Sequence, residues 1–194
     1  MSHRLALGLG LLLSACLAPR QAADPRYFSP AGAAGASEVA PQVAPIGPEL
    51  RLRRVTAADY LRSRMVWRRG VEVGFYDLLR WTQPPASYLE ARLAQELFER
   101  RGLRRVTRPD ATSLTVLLLA FDDVLEPVHE GVVALAVLLV DKSQVARLDR
   151  TFSARRAVAG DGPEDVARAL GEALSEAVTE AGAAIEGALA EGLR

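Results

Sequence analysis

Three runs of β-forming residues follow one another between Ser113 and Ala157, and they constrain the fold more than any other stretch of the chain. Ser113 to Leu125 and Gly131 to Asp141 are joined through Glu126-Pro127-Val128-His129-Glu130, and Val145 to Ala157 follows the turn Asp141-Lys142-Ser143-Gln144. Runs this close in sequence predict a meander of adjacent antiparallel strands. Leu114 to Phe121 and Val132 to Val140 add a second condition, because they are apolar on both alternating faces. A sheet covered on one side alternates apolar with polar. Either the chain's own helices cover both faces of this meander, or its second face meets another subunit or a lipid-like ligand.

Two helices are legible. Pro84-Pro85 opens one in which Leu89, Leu93 and Leu97 recur every four residues, ending near Gly102. A longer one begins at Asp161-Gly162-Pro163-Glu164, where Asp161 and Glu164 have capping-box spacing and Pro163 suits the first turn. Val166, Leu170, Ala173, Leu174, Ala177, Val178, Ala181, Ile185 and Leu189 then share one face, with Glu172, Glu176 and Glu180 opposite. A membrane-surface helix carries a basic polar face, so this acidic one is expected to lie on the sheet. Leu50 to Val55 and Val71 to Phe75 are shorter strand candidates. The expected class is α/β (α+β): a mainly antiparallel sheet with a C-terminal strand meander, packed by one mid-chain helix and one long C-terminal helix.

The N-terminus reads as an export signal. Arg4 supplies positive charge, and Leu5 to Leu13 is built only of Leu, Ala and Gly, too short to span a bilayer. Leu13-Ser14-Ala15-Cys16 resembles a lipobox, in which the cysteine receives diacylglycerol, the chain is cut before it, and the new amine is acylated. Cys16 is the single cysteine, so it has no disulfide partner within the chain, and lipidation consumes it. Two or three acyl chains anchor a domain stably. The Leu17 that follows favours the outer membrane. The expected division is a signal peptide over 1–15, a lipidated Pro/Ala/Gly-rich tether over 16–49 with a short strand at Tyr27-Phe28, and one domain over 50–194.

Formal net charge is zero, but between Arg51 and Arg108 stand 14 arginines against 6 carboxylates, while from Asp161 onward 8 carboxylates face 2 arginines. The cluster Arg51, Arg53, Arg54, Arg62, Arg64, Arg68 and Arg69 suits an acidic partner or anionic headgroups, since an exported lipoprotein seldom meets nucleic acid. Its plainer alternative is a solvated face balanced by the acidic final helix. Catalytic groups are scarce. His129 is the one histidine after the signal, beside Asp122, Asp123, Glu126 and Glu130, and this spacing matches neither a calcium loop nor a helical zinc pair. No nucleophile elbow and no phosphate-cradling glycine loop is present. No catalytic residue, no metal site and no cofactor is expected beyond the diacylglycerol and N-acyl lipid on Cys16.

Taken in order, these segments resemble the ABC-type transport auxiliary lipoproteins, the group of paraquat-inducible protein C. The resemblance rests on Tyr27-Phe28 after the lipobox, Leu50 to Val55, Tyr60-Leu61, Met65-Val66-Trp67-Arg68, and Arg80-Trp81-Thr82-Gln83-Pro84 followed by the leucine helix. The meander and terminal amphipathic helix complete it, while the stretch Pro30 to Pro45 departs from it. The resemblance implies a periplasm-facing lipoprotein on the inner leaflet of the outer membrane. It would dock the far end of a bridge formed by a mammalian-cell-entry type protein of an ABC transport system for lipid or another hydrophobic compound. Arg51, Arg53, Arg54, Trp67, Arg68, Arg80 and Trp81 are the docking candidates, core packing being the alternative for both tryptophans. The reading leaves room for a homo-oligomer, for a lipid carrier with its own pocket, and for an envelope scaffold outside transport.

Overall fold

A computed structural model describes residues 23–30 and 45–192; Leu13, Ser14, Ala15, Cys16 and the stretch 31–44 lie outside the described residues. The spine of the fold is β7 (Ser113–Glu126), which pairs antiparallel with β8 (Glu130–Val140), itself antiparallel to β9 (Ala146–Ala157). This is the expected meander. Three short strands, β2 (Glu49–Leu52), β3 (Thr56–Ala57) and β4 (Arg64–Arg69), succeed one another along the other edge of β7, each parallel to it. Beyond β4 lies β5 (Glu72–Trp81), antiparallel to it, and then β1 (Arg26–Phe28), parallel to β5. A two-residue β6 (Arg104–Arg105) pairs parallel with β2. The long ladders are antiparallel, as expected, and the short added ones are parallel.

The first helix, α1 (Pro85–Ala94), continues as a π-helical turn over Gln95–Arg100 before the chain leaves at Gly102. Leu89, Leu93 and Leu97 are fully buried, as their period requires. The second, α2 (Pro163–Glu191), buries every residue of its expected apolar face. Its start differs from the expected capping box. Gly162 is the N-cap, Pro163 fills the first turn, and no side chain caps the backbone. Glu164 instead pairs with Arg26 of β1.

Alternation along β7 sets Leu114, Val116, Leu118 and Phe121 on one face, in register with Leu139, Val137, Leu135 and Val133 of β8. None of these is more than 1% exposed, and they share one core with α1 and α2. Gly131 marks how closely α2 approaches, since a Cβ there would lie 2.9 Å from the Leu170 backbone nitrogen. On the opposite face Leu117 and Leu138 are each 36% exposed, and Ala120, Ala134, Ala136 and Val140 are half-buried. Both helices therefore pack on one face. Of the two arrangements the sequence allowed, the chain takes the one that leaves the second face of the meander without a helix among the described residues.

Two strand boundaries also moved, the candidate at Leu50 to Val55 being the shorter β2. The candidate at Val71 to Phe75 is the first half of β5, which runs on to Trp81 because β1 and β4 pair with both of its edges. Met65-Val66-Trp67-Arg68 is the body of β4, whose Trp67 indole fills the space beside Gly74 of β5. A Cβ at Gly74 would stand 2.1 Å from that ring. Tyr27-Phe28 belongs to the sheet as part of β1.

Candidate functional site

Asp122 and Asp123 are adjacent on β7, so their side chains leave opposite faces of the sheet. Both are only 1% exposed. A buried carboxylate costs several kcal/mol unless it is paired and hydrogen-bonded, and each has found partners from distant elements.

On the open face Asp122 accepts two hydrogen bonds from Arg68 of β4, from Nε at 2.9 Å and Nη2 at 2.8 Å. The Tyr60 hydroxyl stands 3.2 Å from Asp122 Oδ1 and donates to the Leu119 carbonyl at 3.0 Å. Burial, and next the Asp122 charge, push the Tyr60 phenol up to about 12. On the helix face Asp123 accepts from the Tyr76 hydroxyl at 2.6 Å and lies 2.7 Å from His129 Nε2. Burial and the bond to Asp123 raise the Tyr76 phenol above its ordinary range.

This second node brings together an imidazole, a carboxylate and a hydroxyl, but in the wrong order for nucleophilic catalysis. There the histidine must stand between carboxylate and nucleophile, whereas here Asp123 stands between His129 and Tyr76. No group of three His, Cys, Asp or Glu side chains suited to a metal ion occurs among the described residues. The two nodes link elements of the sheet: Arg68–Asp122 joins β4 to β7, and Tyr76–Asp123–His129 joins β5, β7 and the β7–β8 turn.

The docking candidates divide into two groups. Trp81 is 2% exposed, its ring edge-on to Phe121 at 5.2 Å and to Tyr88 at 6.4 Å, so it builds the core and offers no surface. Arg68 is committed to Asp122. Trp67 is half-buried on Gly74, and Arg80 is half-buried and donates to the Tyr76 and Leu79 carbonyls. Arg53 and Arg54 are exposed, while Arg51 is half-buried and reaches the Pro109 carbonyl at 3.3 Å. Among the described residues, Arg51, Arg53, Arg54, Arg62, Arg64 and Arg80 have no carboxylate within ion-pair distance. Arg101, Arg150 and Arg156 do, and their partners on α2 are Glu186, Glu180 and Glu176. The acidic final helix is thus balanced by the β9 arginines and by Arg101 beside α1, rather than by the cluster at 51–69.

The concave spaces are open to solvent. One of about 390 Å³ is lined by Glu49, Arg104, Asp141, Lys142 and Arg147 among others, and one of about 760 Å³ by Arg92, Arg156, Glu172, Glu176 and Glu180 among others. The more apolar one, about 290 Å³, lies on the open face between Tyr60, Arg62, Arg64 and Phe75. No described helix is long and apolar enough to cross a membrane.

A family model described as the ABC-type transport auxiliary lipoprotein component matches residues 31–182. Among solved structures, the fold is similar to a Xanthomonas campestris protein of the DUF330 family, with a TM-score of 0.67 at 23% identity, covering 87% of this chain and 97% of that one. It is also similar to an uncharacterized protein (TM-score 0.61, 17% identity, 84% and 99% covered) and to a hypothetical protein of Chlamydia trachomatis (0.53, 10%, 74% and 98%). At these identities the structural likeness shows the fold. No curated protein sequence matches the chain.

Proposed function

Because the chain belongs to the ABC-type transport auxiliary lipoprotein family, we propose that it is the membrane-anchored, periplasm-facing accessory lipoprotein of a mammalian-cell-entry type transport system for lipid or another hydrophobic compound. It is held by acyl groups on Cys16 at the inner leaflet of the outer membrane, where it docks the far end of the transport bridge. The family match carries this reading, and the site geometry agrees with it. The buried polar groups act as structural cross-links, while the face of the meander without a helix and the arginines lacking carboxylates, Arg51, Arg53 and Arg54, offer binding surface. An acidic partner recruited there gains rate and specificity from the charge before any close packing.

The carrier alternative asks for an enclosed apolar cavity between sheet and helices. That space is instead filled by fully buried leucines such as Leu89, Leu93, Leu135 and Leu139. The test is in vivo cross-linking of the full-length protein followed by identification of what is recovered. A mammalian-cell-entry protein encoded beside an ATPase and a permease is the expected product. Recovery of wild-type amounts of that protein with Leu117 and Leu138 replaced by Asp and Arg51, Arg53 and Arg54 replaced by Glu, or no recovery at all, overturns the reading. Replacing Cys16 with Ser should release the protein from membranes.

A further inference from the structure

Ten large apolar side chains are exposed among the described residues, and five of them, Tyr27, Val71, Val73, Phe75 and Leu78, lie on β1 and the β4–β5 hairpin. Val71 at the hairpin turn is fully exposed, Tyr27 is 63% exposed, and the other three are 39 to 41% exposed. Register sets Val73 beside Arg68, Phe75 beside Val66, and Arg80 between Arg64 and Tyr27, so these residues form a strip at one edge of the sheet. The Arg64 guanidinium lies 5.9 Å from the centroid of the Phe75 ring. Arg62, Arg64, Arg69 and Arg80 stand around the strip with Asp59, Glu72, Asp77 and the Glu126 that pairs with Arg69.

The same edge receives the N-terminal segment. Arg26 begins β1, ten residues after Cys16. At 3.3–3.6 Å per residue that distance is at most roughly 36 Å when fully extended. We infer that the β1–β5–β4 edge is the surface this domain lays on the lipid bilayer, with Tyr27, Val71, Val73, Phe75 and Leu78 in the headgroup region and the arginines toward phosphate. The inference rests on the proposed lipidation of Cys16.

Three observations favour lipid over a protein partner at this edge. The leash is short and ends here, so the anchor itself brings this edge to the bilayer. Aromatic and aliphatic side chains interleaved with arginine suit the interface, where rings sit among headgroups and arginine stems lie along apolar surface. Tethering also turns the contact into an intramolecular event at millimolar effective concentration, so a small apolar strip suffices without strong affinity of its own. Val73 and Phe75 share the open face with Leu117 and Leu138, so with the edge strands on the membrane the bridge is left Arg53, Arg54 and the part of that face over β7 and β8, farther from the edge.

The experiment places a photoreactive benzoylphenylalanine at Phe75 or Tyr27, and as controls at Leu138 or Val145, in the natively produced protein reconstituted into phosphatidylethanolamine–phosphatidylglycerol vesicles. All four sites are at least 36% exposed, so the core is left intact. Illumination should give lipid adducts several-fold more abundant at 75 and 27 than at 138 and 145. Equal yields overturn the inference, as does an adduct from position 75 to a second copy or to residues 31–44 of the same chain. A parallel arm tethers the full chain through the Cys16 thiol to a maleimide-bearing lipid. Lipid adducts at 75 in this arm, from a protein whose native Cys16 carries no acyl mass, support the orientation and overturn only the lipidation. Native acylation without adducts at 75 overturns the orientation alone.

Discussion

Leu135 and Leu138 stand three residues apart on β8, one fully buried beneath α2 and the other 36% exposed on the opposite face. The two faces of this ladder are written in nearly the same residues, yet one is sealed by both helices and the other by neither. Their charges differ as well. Glu176, Glu180 and Glu186 of α2 are matched by Arg156, Arg150 and Arg101, whereas the arginines beside the open face at 51, 53 and 54 meet no carboxylate among the described residues. One face uses its apolar area and its charge for folding. The other retains both, which is the distribution expected of a domain whose work is to be docked upon.

The sharpest way to break this comparison is to shorten the same side chain on each face. Leu135→Ala should cost about 2–5 kcal/mol of unfolding free energy by urea titration, because the helices close only partly over the cavity. Leu138→Ala should cost about 1 kcal/mol or less, since that side chain already meets water. Comparable losses would show that the open face is covered in solution. Next in size is the buried pair on the open face. Arg68 keeps part of its hydration, so Asp122→Ala should cost about 1–3 kcal/mol, and a double-mutant cycle with Arg68→Ala should show most of that loss as coupling.

The Tyr60 phenol gives the open face a pH signature. Its folded value near 12 lies above the ordinary value of 10, so between those limits the folded chain holds a proton that the unfolded chain has lost. That contribution is fully present below pH 10 and lost as pH rises toward 12. Tyr60→Phe should flatten this part of the alkaline unfolding curve, and an unchanged slope would remove Tyr60 from the account.

How much of this contrast was legible in the sequence follows from the range of each signal. The meander, the Leu89-Leu93-Leu97 helix and the apolar face of α2 are local periodicities, and each formed where the pattern put it. Which face the helices take was not legible, because Leu114 to Phe121 and Val132 to Val140 are apolar on both sides and favour neither. The polar nodes were hidden for another reason. Asp122 meets Arg68 across 54 residues and Asp123 meets Tyr76 across 47, separations over which no spacing rule operates. One signal was available. Adjacent carboxylates inside an apolar β run require buried partners, yet their place near the acidic turn suggested solvation. Core packing was already one of the two readings of Trp81, but its neighbour Phe121 comes from a strand that only tertiary structure brings alongside.

The smallest effect on stability carries the largest expected effect on binding. The side chains of Arg53 and Arg54 are exposed and have no hydrogen-bonded or ion-paired partner among the described residues, so reversing both to Glu should change unfolding free energy by no more than about 0.5 kcal/mol each. If they steer an acidic partner onto the open face, the same double substitution should sharply reduce in vivo cross-linking to the bridge protein. The residual binding should also lose much of its dependence on salt, because long-range attraction between exposed charges is what salt screens. Vesicle cross-linking at Phe75 should be unchanged by the same substitution, since the membrane edge lies on β1, β5 and β4. A loss of both together would merge the two surfaces into one, and a loss of neither would confine these arginines to solvation.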